Sequence, residues 1–242
     1  MKLDEVKEAK QKQMKTLFTT CAGSHMWRMN TVESDVDLAV IYVAPTNAIL
    51  RGERIPVTTG QQMNNRQGIV YDTLGWEVGH LINQLLKGNV NAIWYATSPI
   101  VIQPSPYQKE LKSLVESNLC RNTYCSVAGM AESQIKEEQK PKGASGKGYR
   151  TALRTINFGI ELLTRGRLCY EPVYYTPEPE VVLDKKQQLL EAYEASSLPE
   201  MPDEEAFREF LFRLRMDEMA GKIDFGEGPR RLKEKAPPNC TV

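Results

Sequence analysis

Two aspartates, Asp35 and Asp37, stand one residue apart at the start of an apolar stretch. Residues 36–44 are mostly β-branched and apolar and are followed by Pro45, which predicts a buried strand. Alternate residues of a strand point to the same face, so the two carboxylates are expected side by side. Such carboxylates repel each other unless a cation lies between them, and their hard oxygen atoms suit Mg²⁺ or Mn²⁺. The spacing favours a divalent-metal site, and an exposed aspartate pair at a strand edge is the alternative interpretation.

A glycine and a serine, Gly23 and Ser24, precede Asp35 with ten residues between. Glycine gives flexible backbone with accessible N–H groups, and serine adds a hydroxyl, which are groups that bind phosphate oxygens. Together with the aspartates, this pair predicts a site for a metal ion and a triphosphate. His25 follows directly and is expected to line that site, whereas His80 is expected to be structural.

A group of cations lies later in the chain, within a segment of net positive charge. Residues 135–167 hold eight Lys and Arg and three Glu. Lys147 and Arg154 are seven residues apart on a predicted helix and share a face, with Arg150 beside it. These side chains are expected to bind the β- and γ-phosphates of an NTP or a nucleic-acid backbone. A solvated basic face is the alternative.

The first half of the chain reads as mixed helix and strand. Residues 3–18 show helical spacing of apolar positions, and 46–66 are polar enough for a long loop or a hairpin. Residues 68–76 predict a second strand, and a helix is expected from about Glu77, with Gly88 at its C-terminal end.

The second half reads as helical. Residues 135–148 are polar and rich in Gly and Lys, which indicates a linker. Apolar residues then recur at helical spacing from Tyr149 to Leu163, and two further helices are expected at 181–196 and 203–220. The tail from about 222 is expected to be loose.

Composition limits the protein class. The 242 residues carry 31 basic and 31 acidic side chains, so a strongly basic, histone-like binder is excluded. The longest clean apolar run, Leu38–Ala44, is far shorter than a membrane helix, and the N-terminal residues are charged where a signal peptide is apolar. Five cysteines without a CxxC motif are expected to be reduced thiols. We therefore expect a cytoplasmic protein without a membrane partner.

The order Gly-Ser, ten residues, Asp-x-Asp and an apolar strand resembles the signature of the DNA polymerase β-like nucleotidyltransferase superfamily. Gly23-Ser-His-x-aromatic ahead of Ser34-Asp-x-Asp-Leu is similar to its RNA-repair-pathway branch, a family of nucleotidyltransferases associated with RNA ligases. Three later blocks resemble that family in the same order: Leu85–Trp94, Lys147–Arg154 and Ser197–Asp203.

The resemblance implies an α+β fold in two parts. Residues 1–135 would form a nucleotidyltransferase domain, a mixed sheet with flanking helices. Residues 136–242 would form a helical bundle that closes over the nucleotide and ends in the loose tail.

The resemblance also implies a third carboxylate on a neighbouring strand, and the matching position is Asp72, with Glu77 as the alternative. Asp72 would hold two Mg²⁺ or Mn²⁺ ions together with Asp35 and Asp37, and would act as base toward the acceptor. Gly23 and Ser24 would bind the β- and γ-phosphates.

Two positions depart from the family pattern. Arg28 stands where the family usually has glycine, and Thr151 stands where the helix usually has histidine. Arg28 either adds a phosphate contact or crowds the site, and Thr151 removes a hydrogen-bonding group.

The resemblance implies a metal-dependent enzyme that moves a nucleoside monophosphate from an NTP such as ATP to an acceptor hydroxyl, at an RNA end in repair or processing. One alternative is transfer to a protein or a small molecule. The other is a catalytically silent RNA-binding or toxin–antitoxin partner. The sequence leaves open the nucleotide, the acceptor and the oligomeric state.

Overall fold

The computed structural model describes residues 14–64, 70–140 and 145–225. The strands are β1 Lys15–Cys21, β2 Val36–Val43, β3 Thr58–Asn64, β4 Val70–Glu77 and β5 Val101–Gln103. The helices of these described ranges are α1 Gly23–Met26, α2 Thr46–Leu50, α3 Val78–Leu86, α4 Val90–Thr97, α5 Pro106–Ser117, α6 Thr123–Glu138, α7 Lys147–Arg165, α8 Pro179–Ala195 and α9 Glu204–Met219.

The five strands form one mixed sheet in the order β3-β4-β2-β1-β5. Only β2 and β4 pair in parallel among these strands, and the other pairs are antiparallel. Helices α3, α4 and α5 pack against the sheet, and most of the helical residues lie in the C-terminal half. The predicted α+β fold class, a mixed sheet with flanking helices followed by helices, is confirmed.

The predicted helix over residues 3–18 is wrong at its C-terminal end. Residues 1–13 lie outside the described ranges, and β1 begins at Lys15. Leu17 and Phe18 are both buried, as are Thr19 and Thr20, because β1 lies inside the sheet between β2 and β5. A strand buried on both faces loses the alternating pattern, and its threonines favour extended structure.

The other elements that the sequence predicts are mostly placed as expected. The strands at 36–44 and 68–76 and the helices of the second half are confirmed with shifts of a few residues at their ends. The segment 46–66, expected as a long loop or a hairpin, contains in its described part the short helix α2 and the edge strand β3, which pairs antiparallel with β4. The linker expected at 135–148 is shorter, because α6 continues to Glu138 and α7 begins at Lys147.

One large apolar core runs through the described ranges. It joins sheet residues such as Ile41 and Trp76 to helix residues such as Leu81, Phe158 and Phe207. The core therefore includes side chains from both sides of the expected boundary at 135/136, and the division into two domains stays a prediction. None of the helices in the described ranges combines the length and the apolar composition that spanning a membrane requires.

A buried ion pair ties the last described helix to the sheet. The Glu77 carboxylate accepts hydrogen bonds from Gly79 N at 2.6 Å and Ala44 N at 3.3 Å, so it caps α3 and holds the end of β2. Arg215 of α9 donates to the same carboxylate at 2.6 Å and to the Ala44 carbonyl at 3.1 Å. Both oxygens of the Glu77 carboxylate and both terminal nitrogens of the Arg215 guanidinium thus have partners within this cluster.

We predict that Glu77→Gln lowers the free energy of unfolding by about 3 kcal/mol, because it leaves the Arg215 guanidinium buried without its counter-charge. Urea denaturation measures the change. Glu116→Gln is the matched control, since Glu116 pairs with Lys112 at 3.9 Å where both side chains are partly exposed, and its effect should stay below about 1 kcal/mol. Equal effects of the two substitutions would contradict the structural role of Glu77.

Candidate active site

Strands β2 and β4 place two carboxylates directly opposite each other. The parallel register pairs Asp37 with Asp72. Ile41 and Trp76 lie four residues further along each strand, on the same face, and are buried in the main core. Asp37 is half-buried and Asp72 is exposed. The covered face of the sheet therefore ends at this pair, where a substrate can approach.

Asp35 adds a third negative charge beside the pair. It lies one residue before β2 and is exposed. Burial is the largest cause that raises the pKa of Asp37, followed by the negative charges of Asp72 and Asp35, while His25 and Lys147 act in the opposite direction. The structure thus brings the three predicted carboxylates within electrostatic reach of one another, together with two cation-forming side chains.

The chemistry of these donors fits a divalent cation. Carboxylate oxygens are the ligands that Mg²⁺ and Mn²⁺ prefer, and a bound cation would relieve the repulsion felt at Asp37. In the described parts of the chain, however, no group of three or more His, Cys, Asp or Glu is arranged closely enough to hold an ion. Metal binding therefore requires the exposed side chains of Asp35 and Asp72 to turn toward Asp37.

Gly23 is required by the close approach of two segments. Its φ is +55°, and a Cβ at this position would lie 1.7 Å from Oδ2 of Asp37. Ala22 N donates to the Asp37 carbonyl at 2.8 Å, which fixes the turn against β2. Any side chain here would displace the Asp37 carboxylate, so there is a steric reason for glycine at this position. Ser24, the next residue, is half-buried at the start of α1.

Arg28 occupies a backbone conformation that favours glycine. Among the described residues it is the one non-glycine with positive φ, at 55°. The turn is closed by Arg28 N donating to the His25 carbonyl at 3.0 Å and Met29 N donating to the Ser24 carbonyl at 2.9 Å. The departure from the family glycine is thus a strained position with an exposed cationic side chain.

Arg154 of α7 reaches from the helical half toward the aspartates. Its guanidinium lies over the Trp27 ring, 5.2 Å from the ring centroid. Burial lowers the pKa of Arg154 to about 10, and the charge of Asp37 opposes that shift. Trp27 is itself fixed by edge contacts with Trp94 and Phe158 at centroid distances of 5.3 and 5.9 Å. This aromatic cluster therefore sets the position of a buried cation near the carboxylates.

Three buried side-chain nitrogens of the described residues that have no hydrogen-bond partner are Nε of Arg154, Nε2 of His25 and Nε of Arg150. Arg154 and His25 act electrostatically on Asp37, and Arg150 lies on the same helix as Arg154. Buried donors without an acceptor are costly, so an anionic ligand that accepts from the two arginines would be stabilised. Lys147 is exposed at the first turn of α7, and Thr151 between the cations is half-buried.

Glu138 holds the start of the cationic helix, a role that the sequence did not indicate. This buried carboxylate at the end of α6 accepts from Gly146 N at 2.5 Å and Gly148 N at 2.7 Å. A Cβ on Gly148 would lie 2.7 Å from the Gln134 carbonyl, so the two helices are in close contact. Glu138 therefore anchors the backbone of the first turn of α7, from which the exposed side chain of Lys147 extends.

Tyr95 of α4 is a second residue missed at the sequence level. Burial raises its pKa, with a further contribution from the charge of Asp37. Its ring contacts Trp76 at a centroid distance of 5.0 Å, which places it beside the carboxylate face of the sheet. Its place within an apolar helix gives no sign of this proximity.

Glu77, the alternative third ligand, is instead occupied in the ion pair with Arg215.

The sequence profile of a family described as the RNA repair pathway DNA polymerase beta family matches residues 1–211. The match includes the Gly23 turn, the three aspartates and the whole of α7. The chain belongs to the RNA repair pathway DNA polymerase beta family. The resemblance stated from the motifs is thereby confirmed, and membership supports a nucleotidyltransferase of the polymerase β type.

Two individual proteins show weaker similarity to this chain. An uncharacterised protein of Methanocaldococcus jannaschii is 25% identical over 150 residues, which are 62% of this chain and 61% of that protein. The match thus covers less than two thirds of the relative's length. A nucleotidyltransferase-like protein from Exiguobacterium sibiricum is 13% identical, with 85% of this chain and 69% of that chain covered at a TM-score of 0.32.

We predict that Arg28→Gly raises the free energy of unfolding by about 1 kcal/mol, because glycine adopts the left-handed conformation without strain. Denaturant titration measures the change. Arg51→Gly is the matched control, since Arg51 is an exposed arginine with φ of −79°. The control should lose stability, and a loss in both variants would contradict the strain at Arg28.

We predict that Asp37→Asn raises the melting temperature at neutral pH. The pKa of Asp37 is raised in the folded state, so its ionisation favours unfolding above that pKa. Asparagine resembles the protonated form. The stabilisation should therefore be largest above the folded-state pKa, shrink as the pH falls below it, and disappear below the ordinary aspartate value of 3.8. Thermal unfolding across a pH series without divalent metal checks this, and a difference that is independent of pH would contradict it.

Proposed function

We propose that this protein transfers a nucleoside monophosphate from an NTP to an acceptor hydroxyl, and that the acceptor is an RNA end. The observation that carries the proposal is that carboxylates and cationic side chains lie close together in one part of the fold. Asp37 and Asp72 lie opposite each other beside Asp35, while α7 brings Lys147 and Arg154 toward the same carboxylates. A triphosphate with a bound divalent cation is complementary to both groups, because its phosphates are negative and its metal ion is positive.

The cations would bind the phosphate groups of the NTP. Lys147 is exposed and free to follow the ligand, whereas Arg154 is held over Trp27 and has limited freedom. A buried, pre-positioned guanidinium binds phosphate with little loss of side-chain entropy. Gly23 and Ser24 would contact the β- and γ-phosphates from the other side of the site, and Arg28 would add a cation at its rim.

The carboxylates would hold the metal. Asp35, Asp37 and Asp72 have the donor chemistry for Mg²⁺ or Mn²⁺. When bound, the metal supplies charge neutralisation on the phosphates and makes the acceptor hydroxyl more acidic. Asp72 is the exposed member of the opposed pair, and we propose that it also takes the proton from the acceptor.

The bond changes follow from that arrangement. The acceptor oxygen forms a bond to the α-phosphorus, and the bond between the α-phosphorus and the α–β bridging oxygen breaks. The hydroxyl proton goes to Asp72, and pyrophosphate leaves with its charge facing Lys147 and Arg154. The chain itself thus positions the two reactants, accepts one proton and stabilises the leaving group.

The choice of RNA as acceptor is supported by the family, whose description names an RNA repair pathway. Membership does not define the transferred nucleotide, and ATP is the first candidate to test. A cytoplasmic location, the expectation from the sequence, is part of this proposal.

The test is transfer of label from each NTP labelled at its α-phosphate, with Mg²⁺ or Mn²⁺ and total RNA. We expect label in RNA with the intact protein. Asp37→Asn should lower the rate about a thousandfold or more, because it weakens a metal site worth several kcal/mol in the transition state. Asp184→Asn is the matched control and should retain full activity, since Asp184 lies on α8 and contacts Gln188.

The outcomes separate the candidate functions. Label in protein or small molecules in place of RNA would show a different acceptor. Equal labelling by the intact protein and Asp37→Asn would contradict the proposed site. Absence of labelling, together with absence of NTP and metal binding, would favour a catalytically silent RNA-binding partner.

A further inference from the structure

The row of carboxylates on the sheet continues onto the edge strand β3. The register pairs Asp37 with Asp72 and Asp72 with Gln62, so these three residues lie in one line across β2, β4 and β3. Residues directly opposite each other in neighbouring strands have side chains on the same face, with Cβ atoms about 5 Å apart. Gln62 is exposed. Its carboxamide therefore extends from the sheet beside Asp72, on the side away from Asp37.

The surface around Asp72 and Gln62 leaves room for a ligand. Leu74 lies two residues after Asp72 on the same face, and 39% of this apolar side chain is exposed. The residue opposite Leu74 is Gly60, which has no side chain to cover it. Two residues further along β4, the same face is closed by Trp76, which is buried in the main core. An open strip of the sheet face thus begins at the row and ends at Trp76.

The elements that would bind the triphosphate lie on the other side of the row. The sheet order β3-β4-β2-β1-β5 places β1 next to β2 on the side away from β4. The Gly23 turn directly follows β1, and Ala22 N donates to the Asp37 carbonyl. A triphosphate bound at this turn leaves the side of Asp72 that faces β3 for the second reactant. The open strip is therefore the place for the acceptor.

The chemistry of the strip fits hydroxyl groups better than phosphates. A phosphate is repelled by the Asp72 carboxylate, whereas a hydroxyl can donate a hydrogen bond to it. A carboxamide both donates and accepts, so Gln62 suits a second hydroxyl beside the first. Two hydroxyls on neighbouring carbons match two side chains whose Cβ atoms are about 5 Å apart. The 2′- and 3′-hydroxyls at the 3′ end of an RNA strand form such a pair.

We propose that Gln62 binds the terminal ribose of the acceptor RNA through its 2′-hydroxyl, while the neighbouring 3′-hydroxyl attacks the α-phosphorus. This inference rests on the proposed function, and it adds that the acceptor is an RNA 3′ end. Asp72 takes the proton of the 3′-hydroxyl, and no bond of the 2′-hydroxyl forms or breaks. The 2′-hydroxyl distinguishes RNA from DNA, so Gln62 is a specificity-determining residue of the acceptor site.

Two oligonucleotides of identical base sequence test the role of Gln62. One is a single-stranded RNA of about 10 nucleotides with fluorescein at its 5′ end. The other differs only in its 3′-terminal nucleotide, which lacks the 2′-hydroxyl. We expect the unaltered protein to transfer label to the all-ribose strand with a kcat/KM about fivefold higher or more, because the deoxy end leaves the carboxamide without its partner.

Gln62→Leu removes the hydrogen-bonding groups and should abolish this preference, with KM for the NTP unchanged. Gln61→Leu is the matched control. Gln61 is the preceding residue and is also exposed, but it pairs with Thr73 and therefore faces the opposite side of the sheet. This variant should keep the preference for the all-ribose strand. Thermal unfolding of the three proteins should coincide, since both replaced side chains are exposed.

Direct binding distinguishes a failure of this inference from a failure of the proposed function. Fluorescence anisotropy without NTP gives Kd for both strands. Tighter binding of the all-ribose strand that Gln62→Leu loses, without any label transfer, would support the acceptor contact and contradict the transferase. A 2′-hydroxyl preference absent from both binding and transfer, or retained in Gln62→Leu, would overturn the contact. Label transfer to RNA in that case would still support the proposed function.

Discussion

The parallel pairing of β2 with β4 is the constraint on which the rest of the structure depends. It fixes Asp37 opposite Asp72, and the chain adds Asp35 two residues earlier. Burial raises the pKa of Asp37, and the negative charges of Asp72 and Asp35 raise it further, so the ionised carboxylate is unfavourable at this place. Positively charged side chains of α7 lie close to these carboxylates, and one of them, Arg154, is fixed over the Trp27 ring. The site thus has an electrostatic arrangement suited to a ligand with both signs of charge.

The candidate site contains unfavourable backbone positions, and other parts of the fold offset their free energy. Gly23 allows a backbone approach that any side chain would block, and Arg28 is held in a left-handed conformation. Such strain persists where the surrounding structure determines the backbone strongly. Here the surroundings include the Glu138 carboxylate, which caps α7, and the buried pair of Glu77 with Arg215, which fixes α9 on the sheet. These charges stabilise the elements that hold the site, at a distance from its chemistry.

Local sequence patterns predict the relative positions of the aspartates better than they predict the elements that support them. The alternation around Asp37 and the apolar residues of β2 indicate both a strand and the face that the carboxylates share. The family motif adds Asp72, which the register then places opposite Asp37. The identity of β1 is not predicted, because a strand buried on both faces has no period of two. Tyr95 and Glu138 are missed because their roles depend on contacts between elements distant in sequence.

The central claim is that the three aspartates and the cations of α7 bind one metal–nucleotide ligand between them. A crystal structure with Mn²⁺ and an NTP analogue that cannot be cleaved between its α- and β-phosphates tests it most directly. The account predicts anomalous density for Mn²⁺ at Asp35, Asp37 and Asp72, with the triphosphate against Lys147 and Arg154. Density for the metal at other residues, or a triphosphate bound away from α7, would contradict it.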